Sequence, residues 1–176
     1  MRAAFEIRQG AAPDIPQLRA VFLSLHDHHR SVSAVALTEP DERAWKERAA
    51  TYEHHFAQGR ALLHLALTDA GCVGYAFTIL QPGSDDTFPL GAGYAELYTL
   101  AVLPQWRGAG VGTALLDAVD AALTSAGIPS LTVAVMAHND AAIRFYRRRG
   151  LVPGELIMYR VGPGRERPGQ GGQPAV

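Results

Sequence analysis

At 176 residues, 48% hydrophobic and 19% charged, the chain is long enough for one domain with a real core and too apolar for wholesale disorder. Sixteen basic residues against seventeen acidic ones give a net charge of -1, which argues against a basic nucleic-acid binder or a membrane-surface protein. A single cysteine excludes an internal disulfide framework and a four-cysteine zinc site.

The N-terminus has no unbroken apolar run, so no secretory leader is expected. The longest stretch without Asp, Glu, Lys, Arg or His, Ala121 to Ala137, is interrupted by Gly127-Ile128-Pro129 and does not read as a membrane span. A cytoplasmic location is the default. Phe5 to Gln9 alternates as a short strand. Pro13 and Asp14 suit the first turn of a helix carrying Ile15, Leu18, Val21, Phe22 and Leu25 at helical spacing. Thr38-Glu39-Pro40-Asp41 resembles a capping box that opens a second helix, ended by Gly59. Ala61 to Thr68 and Cys72 to Gln81 read as an antiparallel hairpin about the turn Asp69-Ala70-Gly71. Pro82 to Gly93 is a loop and Tyr94 to Leu103 a long strand. Gly108 to Gly112 is a glycine-rich turn, followed by a helix with Val111, Ala114, Leu115, Ala118 and Ala122 on one face. Leu131 to Met136 is a strand, Asn139 to Arg149 a helix stopped by Gly150, and Glu155 to Val161 a last strand. From Gly162 to Val176, eight of fifteen residues are Gly or Pro, so this tail is expected to be disordered. The order β α α β β β α β α β predicts one mixed α/β domain over residues 1–161, with a central sheet of about six to seven strands and four helices.

The segment Gln105-Trp106-Arg107-Gly108-Ala109-Gly110-Val111-Gly112-Thr113 lies between a strong strand and an amphipathic helix. Glycines admit positive φ and close approach of a ligand to the backbone, and free N–H groups at a helix start attract anions. Phosphate is the expected guest; the alternative is a tight turn that binds nothing. Two phosphate motifs are excluded. A P-loop needs a Lys here, whereas Lys46 is the only one in the chain. Gly108-x-Gly110-x-Gly112 has the wrong spacing for a dinucleotide fingerprint, and Met136-Ala137-His138 lacks its acidic residue.

Arg107-x-x-Gly110-x-Gly112, after Leu100-Ala101-Val102-Leu103-Pro104, resembles motif A of the GNAT acetyltransferase superfamily. Asn139-Asp140-Ala141-Ala142-Ile143-Arg144-Phe145-Tyr146, continuing to Gly150-Leu151, resembles its motif B, and Ile7-Arg8 with Asp14 and Leu18 resembles its start. The resemblance covers roughly residues 5–161. It implies that acetyl-CoA is the co-substrate and that the coenzyme lies in a V between the fourth and fifth strands. The backbone of Leu100, Ala101 and Val102 would hold the pantetheine arm. Arg107, Gly108, Ala109, Gly110, Val111, Gly112 and Thr113 would cradle the pyrophosphate, with Asn139 touching the coenzyme as well as capping its helix. One departure stands out: Leu151-Val152-Pro153-Gly154 runs at once into the last strand, leaving a sixth strand rudimentary at most.

Acetyl transfer to an amine needs a base and a proton for the departing thiolate. Glu96 interrupts an apolar, aromatic strand, and alternation places it with Tyr94, Tyr98 and Leu100. A carboxylate among aromatics suits a general base, a position some family members use; a Glu paired with a structural Arg is the alternative. The resemblance makes Tyr146 the candidate acid, against an ordinary buried tyrosine. Cys72, far from both motifs, reads as a small apolar residue, which favours direct transfer over an acetyl-cysteine route. His26, Asp27, His28 and His29 point weakly to a metal, and no metal is assigned; they are better placed to border the acceptor pocket. Trp106 and His64 read as packing. The resulting expectation is an N-acetyltransferase acting on a small-molecule or protein amine, with no nucleic-acid or membrane partner and compatible with a homodimer. The rivals are a non-catalytic acyl-CoA-binding module and a transferase using a longer acyl group or a hydroxyl acceptor.

Overall fold

The computed structural model describes residues 4–35, 39–83 and 89–160. The tail expected at 162–176, part of the loop after Pro82 and Thr38 lie outside the described residues. The chain divides into two compact units, Met1–His26 with Pro40–Ala134, and Asp27–Glu39 with Val135–Val176.

The first unit is built on a mixed sheet. Its strands are β1 (Glu6–Gly10), β2 (Ala61–Thr68), β3 (Gly71–Pro82), β4 (Gly93–Val102) and β5 (Leu131–Thr132), hydrogen-bonded in that order. β1 to β4 pair antiparallel and β5 joins β4 in parallel. The hairpin read from the sequence is present, with Thr68 and Gly71 closing it. Helix α1 (Arg19–Val32) begins later than Pro13 because a 3-10 turn occupies Ala12–Leu18. Pro16 inside that segment has no N–H to give a ladder. Asp14 anchors the turn, accepting from the Ala11 N–H (2.9 Å) and from both terminal nitrogens of Arg8 on β1 (2.8 and 3.3 Å). Helix α2 spans Asp41–Ala57, with Pro40 as N-cap and no capping side chain. The expected capping box does not form: a helix starting at Asp41 puts that residue at the first helical position, not the third.

One face of the sheet, through Leu63, Leu65, Tyr75, Phe77, Ile79 and Ala101, packs against Ile15, Leu18, Val21 and Tyr52. The opposite face receives α3 (Val111–Ser125), whose buried stripe is Val111, Leu115, Leu116, Val119 and Leu123. The stripe is centred one step away from the expected Ala114, Ala118 and Ala122, because the larger side chains gain more from burial. The helix sits close: a Cβ on Gly74 of β3 would meet Val111 Cγ1 at 3.1 Å, Leu115 Cδ1 at 3.3 Å and the Ala101 carbonyl oxygen at 2.9 Å.

In the second unit, α4 (Asp140–Arg148) is capped by Asn139, whose side chain accepts from the Ala142 N–H at 3.2 Å. The chain then folds back on the helix end, where the Arg149 and Leu151 N–H groups both donate to the Tyr146 carbonyl, at 2.9 and 3.1 Å. Two strand expectations are corrected. β5 is two residues long rather than reaching Met136, and no strand forms over 155–160, so the sheet has five strands among the described residues. Alternating apolar residues make a strand only when a neighbour supplies the ladder; here Leu156, Met158 and Tyr159 remain exposed.

Candidate active site

The glycine turn has local causes. Leu103 leads into a short 3-10 turn at Pro104–Trp106, and Trp106 packs edge-on against Phe5 with centroids 6.4 Å apart. Gly108 and Gly110 then take φ of +74° and +92°, a region that L side chains avoid. Gly110 is the N-cap of α3, and no side chain caps the helix. The helical ladder begins with the Ala114 N–H donating to the Gly110 carbonyl at 3.0 Å. The N–H groups of Val111, Gly112 and Thr113 therefore precede the ladder, at the positive end of the helix dipole. The space over Gly108 and Gly110 is open, with no atom beyond the adjoining residues within 4 Å of a Cβ built on either. Arg107 reaches back along the turn, its Nε donating to the Val102 carbonyl at 3.2 Å.

β4 supplies the second element. β5 pairs with it only at Ala95 and Glu96, so from Leu97 to Val102 the edge turned away from β3 has no strand partner among the described residues. Residues 100–102, the expected pantetheine contacts, lie on this unpaired stretch and run directly into the glycine turn. An open edge of peptide donors and acceptors leading to a helix start with free N–H groups has the chemistry to suit an extended amide-bearing arm that ends in phosphates.

Glu96 sits where the two strands part, opposite Thr132 of β5. The register on its other side contains a bulge: Phe77 faces Thr99 but Thr78 faces Leu97, leaving Tyr98 as the extra residue. Directly paired residues share a sheet face. Glu96, opposite Ile79, is thus on the α2 side with Thr99 and Ala101, whereas Leu100 and Val102, opposite Ala76 and Gly74, are on the α3 side. This corrects the expectation that Glu96 and Leu100 share a face; plain alternation fails across a bulge. Tyr98 does lie on the α2 side, 6.2 Å from the Tyr52 ring and under the Arg48 guanidinium.

Glu96 is half-buried, and its Oε2 accepts from Gln81 Nε2 at 3.2 Å. Gln81 Oε1 in turn accepts from Arg60 Nη2 at 3.0 Å. His55 of α2 belongs to the same neighbourhood. Burial holds its imidazole below the ordinary value, His54 and Arg60 add to this, and the Glu96 carboxylate opposes it. Sequence reasoning missed Gln81, Arg60 and His55. The hairpin register held a signal for the first two, since Ala61 opposite Ile79 puts Arg60 beside Leu80.

In the second unit, Tyr146 is 9% exposed and burial pushes its phenol up to about 12. Its ring meets Phe145 edge-on at 5.2 Å, and its hydroxyl has no hydrogen-bond partner among the described residues. Asn139 is a helix cap, as one of its two readings required. Cys72 is half-buried on β3, with its thiol raised to about 11 by burial and its Sγ 3.3 Å from the Gly74 carbonyl oxygen. Burial thus favours its protonated, less nucleophilic form. Among the histidines, His26 stacks on Phe22 at 5.8 Å and pairs with Asp41 at 3.9 Å. Among the described residues, no group of three or more His, Cys, Asp or Glu is arranged to hold a metal ion. No helix among them is long and apolar enough to cross a membrane.

The sequence matches the family model described as the acetyltransferase (GNAT) family over residues 24–151. It is 34% identical over 131 residues to a mycothiol acetyltransferase of Thermobifida fusca, covering 72% of this chain and 34% of that protein. A mycothiol acetyltransferase of Cellulomonas flavigena is 31% identical over 140 residues, covering 68% of this chain and 40% of that protein. The chain thus spans between a third and about half of the length of such curated relatives. Among solved structures, a GCN5-related N-acetyltransferase from Ralstonia eutropha superposes with a TM-score of 0.71 at 16% identity, covering 90% of this chain and 99% of that one. The aminoglycoside N-acetyltransferase AAC(6')-Iy in complex with CoA gives 0.68 at 17% identity, covering 92% and 96%.

Proposed function

Because the chain belongs to the acetyltransferase (GNAT) family, we propose that it moves an acetyl group from acetyl-CoA to a primary amine. The observation that carries this reading is the parting of β4 from β5 immediately before a glycine-opened, uncapped helix start. In this reading the backbone of Leu100, Ala101 and Val102 holds the pantetheine arm. Arg107, Gly108, Ala109, Gly110, Val111, Gly112 and Thr113 hold the pyrophosphate, and Asn139 adds a contact from the α4 cap. Acetyl-CoA supplies an activated thioester. Glu96 takes the proton of the attacking amine, directly or through one water, and Tyr146 offers its hydroxyl to the sulfur as charge develops there. The protonated state of Cys72 supports direct attack over a covalent relay.

The acceptor is an amine whose class the relatives frame: curated ones are named mycothiol acetyltransferases, and solved neighbours include aminoglycoside and ribosomal-protein-alanine N-acetyltransferases. The test is thiol release from acetyl-CoA across a panel holding the amine precursor of mycothiol, sisomicin, a peptide with N-terminal alanine, and free amino acids. Saturable release with one of these is the expected result. CoA binding by calorimetry without release from any amine would favour a binding module instead. Glu96→Gln should lower turnover by about 10²–10⁴-fold with acetyl-CoA affinity unchanged.

A further inference from the structure

Gln81 stands between two charged side chains of opposite sign. It accepts from Arg60 Nη2 through Oε1 at 3.0 Å and donates from Nε2 to Glu96 Oε2 at 3.2 Å. The two ends of an amide are easily confused, but a guanidinium only donates. Arg60 therefore claims the oxygen and leaves the NH₂ for the carboxylate. Arg60 is itself held at the end of the β2–β3 ladder. Its Nε donates to the Leu80 carbonyl at 3.2 Å, its own carbonyl accepts the Leu80 N–H at 2.8 Å, and its N–H donates to the His55 carbonyl at 3.0 Å. Gln81 and Glu96 are diagonal neighbours across the β3–β4 ladder, since Gln81 faces Tyr94 and Ile79 faces Glu96.

The chemistry of this chain of three differs from that of a salt bridge. A guanidinium in direct contact with a carboxylate tends to occupy both oxygens in a fork. The intervening amide engages Oε2 alone, and no hydrogen bond to Oε1 is present among the described residues. One oriented donor, locked by a second anchored residue, supplies the support that a precisely aimed proton acceptor needs.

We propose that Arg60 and Gln81 are positioning residues for Glu96, pinning Oε2 so that Oε1 is the oxygen presented to the acceptor amine. This rests on the reading of Glu96 as the base. Gln81→Glu separates the positioning role from a structural one. It keeps the shape and strengthens the contact with Arg60, but it offers no donor to Glu96 at neutral pH and places a like charge beside it. Gln81→Leu removes both contacts, and Arg60→Lys frees the amide to turn over.

The first readout is the carboxyl carbon resonance of Glu96 in protein labelled with ¹³C at glutamate side-chain carboxyls, assigned by its loss in Glu96→Gln. The second is thiol release with the fastest amine of the panel. The resonance should shift in both Gln81 variants. Turnover should fall about 10-fold in each, less than for outright loss of a general base, with the acetyl-CoA KM and the melting temperature unchanged. Arg60→Lys should lie between these and the wild type. In a Glu96→Gln background, Gln81→Glu should cost nothing further. An unmoved resonance with full turnover in both Gln81 variants, while Glu96→Gln is slow, would overturn the positioning alone. Full turnover in Glu96→Gln would overturn the base reading, and the catalytic role of the pair with it.

Discussion

Tyr146 shows how burial selects among the roles a side chain can take. With its phenol pushed up to about 12 by burial, it is protonated at neutral pH. It is also a weaker acid than a thiol of ordinary value near 8.5, so complete transfer of its proton to a thiolate runs uphill. In the proposed reaction its contribution is a hydrogen bond to the developing negative charge on sulfur, with solvent completing the proton balance. Tyr146→Phe should therefore lower kcat by roughly 10²-fold at most and leave CoA affinity by calorimetry unchanged. In that proposal the protonated form is the one that acts, and it is lost only as pH rises through about 12. Wild-type and variant rates measured from pH 6 to 10 should accordingly run parallel, with no alkaline limb that disappears in the variant. A collapse of CoA affinity would assign the residue to binding instead.

Between β4 and α3, the decisive feature is a turn that only glycine tolerates. Gly110 holds φ of +92° with nothing within 4 Å of a Cβ built on it, so Gly110→Ala adds no clash and its cost is conformational. An L-residue in that region costs roughly 1–2 kcal/mol. For a chain of this size that lowers the melting temperature by about 2–8 °C in calorimetry. CoA affinity should fall as well, because strain at the N-cap disturbs the helix start whose N–H groups the pyrophosphate would use. An unchanged affinity would move the phosphate site off this helix start. The bulge at Tyr98 acts at the same scale: one extra residue turns Glu96 toward α2 while Leu100 and Val102 stay under α3.

Across the whole molecule, acid should loosen the fold through its buried histidines. His64 is 6% exposed in the middle of β2, and burial holds its imidazole below the ordinary value; His55 is shifted the same way, also chiefly by burial. Both are favoured in the neutral form by folding. The unfolded chain takes up protons near 6.5, so it binds more protons than the folded chain below that pH. Stability is then fully present above about 7 and declines as pH falls through 6.5 toward the lower folded values. Melting temperatures should drop between pH 7 and 5, and His64→Phe should flatten the drop. Asp14, held below its usual range chiefly by the Arg8 hydrogen bond, gives a small contribution that is fully present above about 4 and lost as pH falls through its lowered value, a separate window.

Local chemistry fixed whatever depends on near neighbours in the chain. The β2–β3 hairpin follows from a Gly turn between two apolar runs, and the glycine turn from its spacing before an amphipathic helix. The Asn139 cap follows from an Asx residue at a helix start. Glu96 and the turn at 107–113 stood out for the same reason, whereas Tyr146 and residues 100–102 were marked by the resemblance to the family's two motifs. What depends on distant partners was decided by tertiary structure. Apolar alternation at 155–160 could not make a strand without a ladder, and β5 stopped after two residues, opening the β4 edge. The bulge reset which face Glu96 shares, because it is defined by β3 and not by β4 alone. Arg60, Gln81 and Glu96 lie 21 and 15 positions apart, and only strand pairing brings them into hydrogen-bond reach.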